Sequence, residues 1–144
     1  MNIKNNIVIL GAGESGVGAA ILAIKQGATV FVSDKSPIKA NYKNELQSLN
    51  IDFEEGVHSE EKILSADLII KSPDVYKGIQ QGQLVDQDES QVLMKINRFT
   101  AIRYDRDKIQ NAQDQELEIG QQLFMNHGGH GEYHLMDQKE AQQQ

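Results

Sequence analysis

The chain has no cysteine, no tryptophan, only two prolines and no long apolar run. Without cysteine there are no disulfides, no thiolate metal ligands and no cysteine nucleophile. No stretch approaches the ~20 consecutive apolar residues that a membrane-spanning helix needs. The opening "MNIKNNIVIL" is a poor secretory signal, because its apolar stretch is short and runs straight into a glycine-rich loop. A cytoplasmic location is therefore the expectation. Basic residues are also scarce: 14 Lys and Arg stand against 21 Asp and Glu, for a net charge of −7. A nucleic-acid surface needs a basic stripe to displace phosphate counter-ions, and docking on an acidic membrane needs similar charge. Neither partner is expected.

The residues that are present fall unevenly. Residues 1–76 hold two glutamines, Gln26 and Gln47, whereas 77–144 hold fourteen. The shift places a boundary near Val75–Gly78. It separates a periodic front half (1–76) from an extension of undecided strand or helix content (77–126) and a polar tail (127–144) expected to be flexible. Within the extension, 92–104 suits one or two strands and 105–124 a weakly amphipathic helix. Beyond Asn126 too little apolar surface remains to offset the entropy of ordering.

The front half alternates strand and helix signals. "NIVIL" (6–10) is a continuous β-branched run, as in a strand buried on both faces. Val17, Ala20, Ile21 and Ile24 then share one helical face, and Gly27 falls where a helix-terminating glycine belongs. "ATVFVS", "IDFEEG" and "DLIIKS" supply three further strands, with helical spacing after Pro37 and after Ser59 between them. The β-α-β-α-β-α-β order predicts an α/β fold: a Rossmann-like, doubly wound parallel sheet with right-handed crossovers, carrying a polar C-terminal extension.

Gly11, Gly13 and Gly16 form G-x-G-x-x-G between the first strand and the first helix, the context this motif requires. Gly11 allows the tight turn, Gly13 lets a pyrophosphate approach the backbone, and Gly16 lets the helix close on the strand. The amides of Glu14, Ser15 and Gly16 then open the helix, where its dipole favours an anion. Ser15 adds a hydroxyl, while the Glu14 carboxylate has to swing outward. Asp34 ends the second strand 18 residues after Gly16, about where an acidic residue meets ribose hydroxyls in dinucleotide folds. It serves equally well as a turn residue before Pro37. Loop and acid together indicate a nucleotide without choosing which, and Lys35 tolerates a phosphate or a carbonyl.

"KSPDV" (71–75), after "ILGAGESGVGAAILA", "VFVSD" and "ADLIIKSP", narrows the choice. These motifs, in this order and at this spacing, resemble the N-terminal uridine-nucleotide-binding domain of the Mur ligases, most closely its MurD-like, D-glutamate-adding branch. The resemblance covers about residues 3–75. It implies that the loop from Gly11 to Gly16 holds the diphosphate of UDP-N-acetylmuramoyl-L-alanine, that Asp34 and Lys35 flank the uracil, and that Ser72 and Pro73 close its other side. The family pattern at this turn is Ser-Pro-Gly, and here Asp74 replaces the glycine, bringing a side chain and a charge toward the base.

In the full-length family the resemblance further implies ATP and magnesium, held by a Gly-Lys-Ser/Thr loop of a central domain. These 144 residues contain no Gly-Lys pair. No catalytic residue and no cofactor bound by this chain alone are therefore assigned. The rival expectations are an NAD(P)-binding regulatory or redox module using the same loop with Asp34, and a remnant that keeps the fold without a ligand. His127, His130 and His134 would gather around zinc or nickel on a helix. Gly128, Gly129 and Gly131 oppose that helix, so no metal site is assigned.

Overall fold

The alternating front half folds in the expected order. In the computed structural model, which describes residues 6–111, 115–128 and 131–143, β1 (Asn6–Leu10), α1 (Glu14–Lys25), β2 (Thr29–Asp34), α2 (Ala40–Ser48), β3 (Asp52–Glu55), α3 (Glu60–Leu64) and β4 (Leu68–Lys71) follow one another. β1 pairs in parallel with both β2 and β4, and β2 with β3. Strand β1 reads as a continuous apolar run because Ile7, Val8 and Ile9 are all buried. Ala19, Ala20 and Ala23 on α1 have no exposed surface, and small side chains of this kind let a helix lie close to a sheet.

The extension departs from expectation. It contributes β5 (Gly78–Gln87), β6 (Gln91–Asn97), β7 (Thr100–Asp105), β8 (Ile109–Gln110), β9 (Gln122–His127), β10 (Tyr133–Met136) and a short helix α4 (Gln138–Gln142). The helix expected over 105–124 is replaced by a single 3-10 turn at Arg106–Lys108, the short β8 and the start of β9. Leu123, Met125 and His127 are buried while Phe124 and Asn126 are less so, a period of two that overrides the weak helical pattern.

The segment expected to fray is likewise corrected. Tyr133, Leu135 and Met136 bury themselves beside β9, and α4 closes with a capping box. In it the Glu140 amide donates to Asp137 Oδ1 at 2.7 Å, and the Asp137 amide to Glu140 Oε1 at 3.3 Å. Three buried side chains and a satisfied helix start are enough to order a stretch that composition marks as polar.

The ten strands among the described residues belong to one sheet, ordered β3-β2-β1-β4-β7-β6-β5-β9-β10-β8. The sheet thus runs across the boundary placed near Val75–Gly78. Strand β7 lies parallel to β4, with Ile69 opposite Thr100 and Lys71 opposite Ile102. From there to β10 the pairing is antiparallel. Two cores result, one under α1 and α2 and a second among β5–β10. The middle strands supply both: Leu93 and Ala101 join the first, while Val92, Met94, Ile102 and Tyr104 join the second. On β7 this alternation puts Ala101, Arg103 and Asp105 on the α1 side.

Candidate functional site

The turn from β1 into α1 is fixed from three directions. Gly11 adopts φ +100°, a conformation open mainly to glycine, and its amide donates to the Ser33 carbonyl at 2.8 Å. The Ala12 amide donates to Asp34 Oδ2 at 2.9 Å, which ties the loop to the end of β2. At Gly16 any Cβ would stand 1.9 Å from the Gly11 carbonyl oxygen, so the helix reaches the turn only because the side chain is missing. Gly13 caps α1 with no side-chain hydrogen bond. The first amides of the helix have no intrahelical acceptor, and the dipole adds positive potential there.

This turn opens into a cleft of about 840 Å³ whose lining includes Gly13, Glu14, Ser15, Gly16, Ser72 and Pro73. It lies beyond the carboxyl ends of β1 and β4, where the strand order reverses from the β2 side to the β4 side. Ligands of open α/β sheets bind at such a switch point. Ser72 precedes a 3-10 turn at Pro73–Val75 and accepts the Asp74 amide at 3.3 Å, which presents the Ser-Pro corner opposite the glycine loop. Six of the residues singled out from sequence thus share one cleft, with Gly11 directly behind it.

Asp34 and Lys35 do not line it. The Asp34 carboxylate accepts the Ala12 amide through one oxygen and the Ser36 amide through the other, both at 2.9 Å, which is the turn role. Lys35 is exposed on that turn. Asp74 is exposed, and its Oδ1 accepts the Tyr133 hydroxyl at 3.3 Å.

The other walls come partly from α1 and α2, with Val17, Gly18, Ile21, Tyr42 and Glu45, and partly from the extension, whose Arg103 and Asp105 were not among the expected site residues. Arg103 is 6% exposed and lines the cleft, and its Nη1 donates to the Leu10 carbonyl at 2.8 Å. Burial pulls its pKa down, opposed by the nearby charges of Asp105, Asp74 and Asp34. The Ser15 hydroxyl meets both oxygens of Asp105, at 2.7 and 2.9 Å. Gln91 Nε2 donates to the Ser15 carbonyl at 2.7 Å. Alternating polar residues at the end of a strand, Arg103 and Asp105, were the available sequence signal. Nothing in the sequence told that this strand docks beside β4.

The cleft is acidic: Glu14, Glu45, Asp74, Glu89, Asp105 and Asp107 face three cations, Arg103, Arg106 and Lys108. Two of those cations already have partners. Arg106 donates from Nε to the Asp88 carbonyl at 2.6 Å and from Nη2 to the Gln87 side chain, while exposed Lys108 sits 3.8 Å from Asp105.

The histidines are not brought together. His127 is buried, with Nδ1 3.0 Å from the Gly78 carbonyl and Nε2 2.8 Å from the Tyr104 hydroxyl. The Nδ1 position must therefore donate, and in the neutral ring that burial favours Nε2 accepts the tyrosine hydroxyl. Desolvation holds its pKa below the ordinary value. Tyr133, which lines the cleft, packs edge-on to both His127 and Tyr104 at 5.2 Å, so this cluster backs one cleft wall. His134 follows Tyr133 along β10 and points to the opposite face. His130 lies outside the described residues. Among the described residues no three His, Cys, Asp or Glu side chains are placed to hold a metal ion. None of their helices is long and apolar enough to cross a membrane.

A family model described as the MurD N-terminal domain matches residues 6–79. Among curated proteins, UDP-N-acetylmuramoylalanine–D-glutamate ligase of Cytophaga hutchinsonii is 49% identical over 94 residues, covering 65% of this chain and 21% of that protein. The ligases of the same description from Bacteroides thetaiotaomicron and Porphyromonas gingivalis are 61% identical over 69 residues and 56% over 73. These matches cover 48% and 51% of this chain and 16% of each relative. The chain therefore spans between 16 and 21% of the length of these three relatives. Among solved structures, a bacillithiol disulfide reductase of Bacillus cereus aligns over 69% of this chain and 26% of its own at 16% identity, with a TM-score of 0.31, too slight a likeness to carry an argument. With the glycine loop, the Ser-Pro corner and the β4 switch point all lying inside the matched residues, the chain belongs to the MurD N-terminal domain family.

Proposed function

We propose that this chain binds a uridine-diphosphate-linked muramoyl peptide precursor, UDP-N-acetylmuramoyl-L-alanine or a close relative, in the cleft above the glycine loop. The observation that carries this reading is the facing pair of corners, Gly13–Gly16 at the end of β1 and Ser72–Pro73 at the end of β4, in one cleft at the sheet's switch point. The uncapped start of α1 suits a diphosphate. The Ser-Pro corner, across the cleft, suits the base. The precursor belongs to peptidoglycan synthesis in the cytoplasm, and the D-glutamate ligase activity belongs to the relatives' whole length. This chain has no Gly-Lys pair for an ATP phosphate loop, so its proposed part is to hold the nucleotide rather than to form the bond.

Two features modify the family expectation. Asp34 accepts the Ala12 and Ser36 amides, which supports its reading as a turn residue over a ribose contact. Asp74 lines the cleft with its Oδ1 on the Tyr133 hydroxyl, which gives its side chain a partner other than the base. Calorimetric titration with UDP-N-acetylmuramoyl-L-alanine, UDP, NADH and ATP tests the proposal. Saturable binding of the first two is expected. Tight NADH binding with silence toward UDP would sink it, and silence toward all four would favour a fold kept without a ligand.

A further inference from the structure

Arg103 carries a buried charge in the cleft that makes no direct ion pair among the described residues. A guanidinium keeps its proton at any ordinary pH, so taking it out of water requires a compensating anion. Arg103 is more than nine-tenths buried, yet no carboxylate oxygen lies within 4 Å of it among the described residues. Its Nη1 has the Leu10 carbonyl, and its Nε has no partner. A neutral carbonyl satisfies one donor of the five, and the charges of Asp105, Asp74 and Asp34 act on the group only through space, without a direct ion pair.

The position of the group is equally specific. A Cβ at Gly11 would stand 2.8 Å from Nη2, and one at Gly16 3.8 Å. The guanidinium therefore lies against the turn that opens α1, a twelve-residue helix whose N-terminus has no side-chain cap. Two independent sources of positive potential, the helix start and a buried cation, converge on one cleft. The surrounding carboxylates make the cation decisive. Arg106 is bonded to Asp88 and Gln87, and exposed Lys108 lies by Asp105, so Arg103 is the buried cation of the cleft.

We propose that Arg103 is the phosphate-recognising residue of this cleft, its guanidinium taking an oxygen of a diphosphate seated at the N-terminus of α1. The inference rests on the cleft being a nucleotide-diphosphate site, as proposed above. Arg103 comes from β7, beyond the residues 6–79 that match the family, so the extension completes the site rather than merely trailing it. Asp105, now on the Ser15 hydroxyl, gives way to the phosphate and stays within Coulombic reach of Arg103.

The test titrates inorganic pyrophosphate and UDP into the full 144-residue chain and into Arg103→Gln and Arg103→Lys. Gln removes the charge and keeps a polar, amide-bearing side chain, while Lys keeps the charge without the planar fork. Loss of affinity by about 10- to 100-fold for both ligands in Arg103→Gln, with partial retention in Arg103→Lys, is the expected result. Should the Gln variant not fold, the Arg103 Nε–Hε resonance of the parent decides by NMR, since pyrophosphate is expected to shift it saturably. Undiminished binding by a folded Arg103→Gln, or an Nε–Hε resonance that pyrophosphate leaves in place, overturns the inference. Pyrophosphate binding through Arg103 with silence toward UDP would leave it standing and remove the uridine reading. UDP binding indifferent to Arg103 would do the reverse.

Discussion

Ser15 and Asp105, ninety residues apart, meet with the serine hydroxyl 2.7 and 2.9 Å from the two carboxylate oxygens. The carboxylate sits at the start of α1, where a phosphate oxygen would accept the same hydroxyl. An arriving diphosphate must displace this resident anion and then tolerate its charge. Asp105→Asn keeps the shape and removes the charge, and it should raise affinity for UDP by about tenfold, since like charges brought together across a site cost on that order or more. Isothermal titration of parent and variant at equal ionic strength reads this directly. Equal or weaker binding by the variant would mean that Asp105 does not compete for the hydroxyl.

The two inner glycines of the loop should behave oppositely. At Gly16 a methyl group would press on the Gly11 carbonyl, a backbone atom that cannot step aside. Gly16→Ala should cost stability at the upper end of the ~1–3 kcal/mol typical of overpacking. Gly13 has φ −83° and open space around a built Cβ, so Gly13→Ala should leave stability within about 0.5 kcal/mol. A side chain at Gly13 nonetheless stands where the ligand approaches, so its effect belongs on UDP affinity. Urea denaturation together with titration separates the two. A Gly13→Ala protein weakened in both would place that residue in the packing instead.

His127 should make stability depend on pH. Burial lowers its folded-state pKa, whereas an unfolded histidine titrates near ~6.5. Its neutral form is thus favoured in the fold. The stability it contributes is fully present above ~6.5 and is lost as pH falls from there through the folded value. Denaturation midpoints measured from about pH 7.5 down to about 5.5 should decline in the parent. In His127→Phe the slope should flatten, from a lower starting stability because the Tyr104 hydroxyl loses its partner, a loss worth about 1–3 kcal/mol. An unchanged slope in the variant would assign the titration to another group.

The front half was legible because its signals are local. A β-branched run, a glycine motif and a helical stripe each act over short stretches of chain, and β1, α1 and β2 follow within a residue or two of expectation. The loop's neighbours were legible only in part. Ser72 and Pro73 reach the cleft because parallel crossovers fix where β4 ends. Asp34 takes up the turn role that the sequence also allowed, accepting the Ala12 and Ser36 amides, a partnership that a sequence does not display. In the extension, glutamine-rich composition hid strands whose inward residues, Leu123, Met125, Tyr133 and Leu135, are few but well spaced. The entry of Arg103 and Asp105 into the site depends on the pairing of β7 with β4, a contact between distant segments with no local signature.

That pairing also bears on what can be cut. The family match ends at Ile79, yet the hydrogen-bonding edge of β4 from Ile69 to Lys71 is covered only by residues that follow. A fragment trimmed to the matched region would carry a bare parallel edge, an invitation to pair with a second chain, and would lose Ala101 and Leu93 from under its helix. The residues that the family model matches and the strands that close the sheet around them are therefore different lengths of this polypeptide.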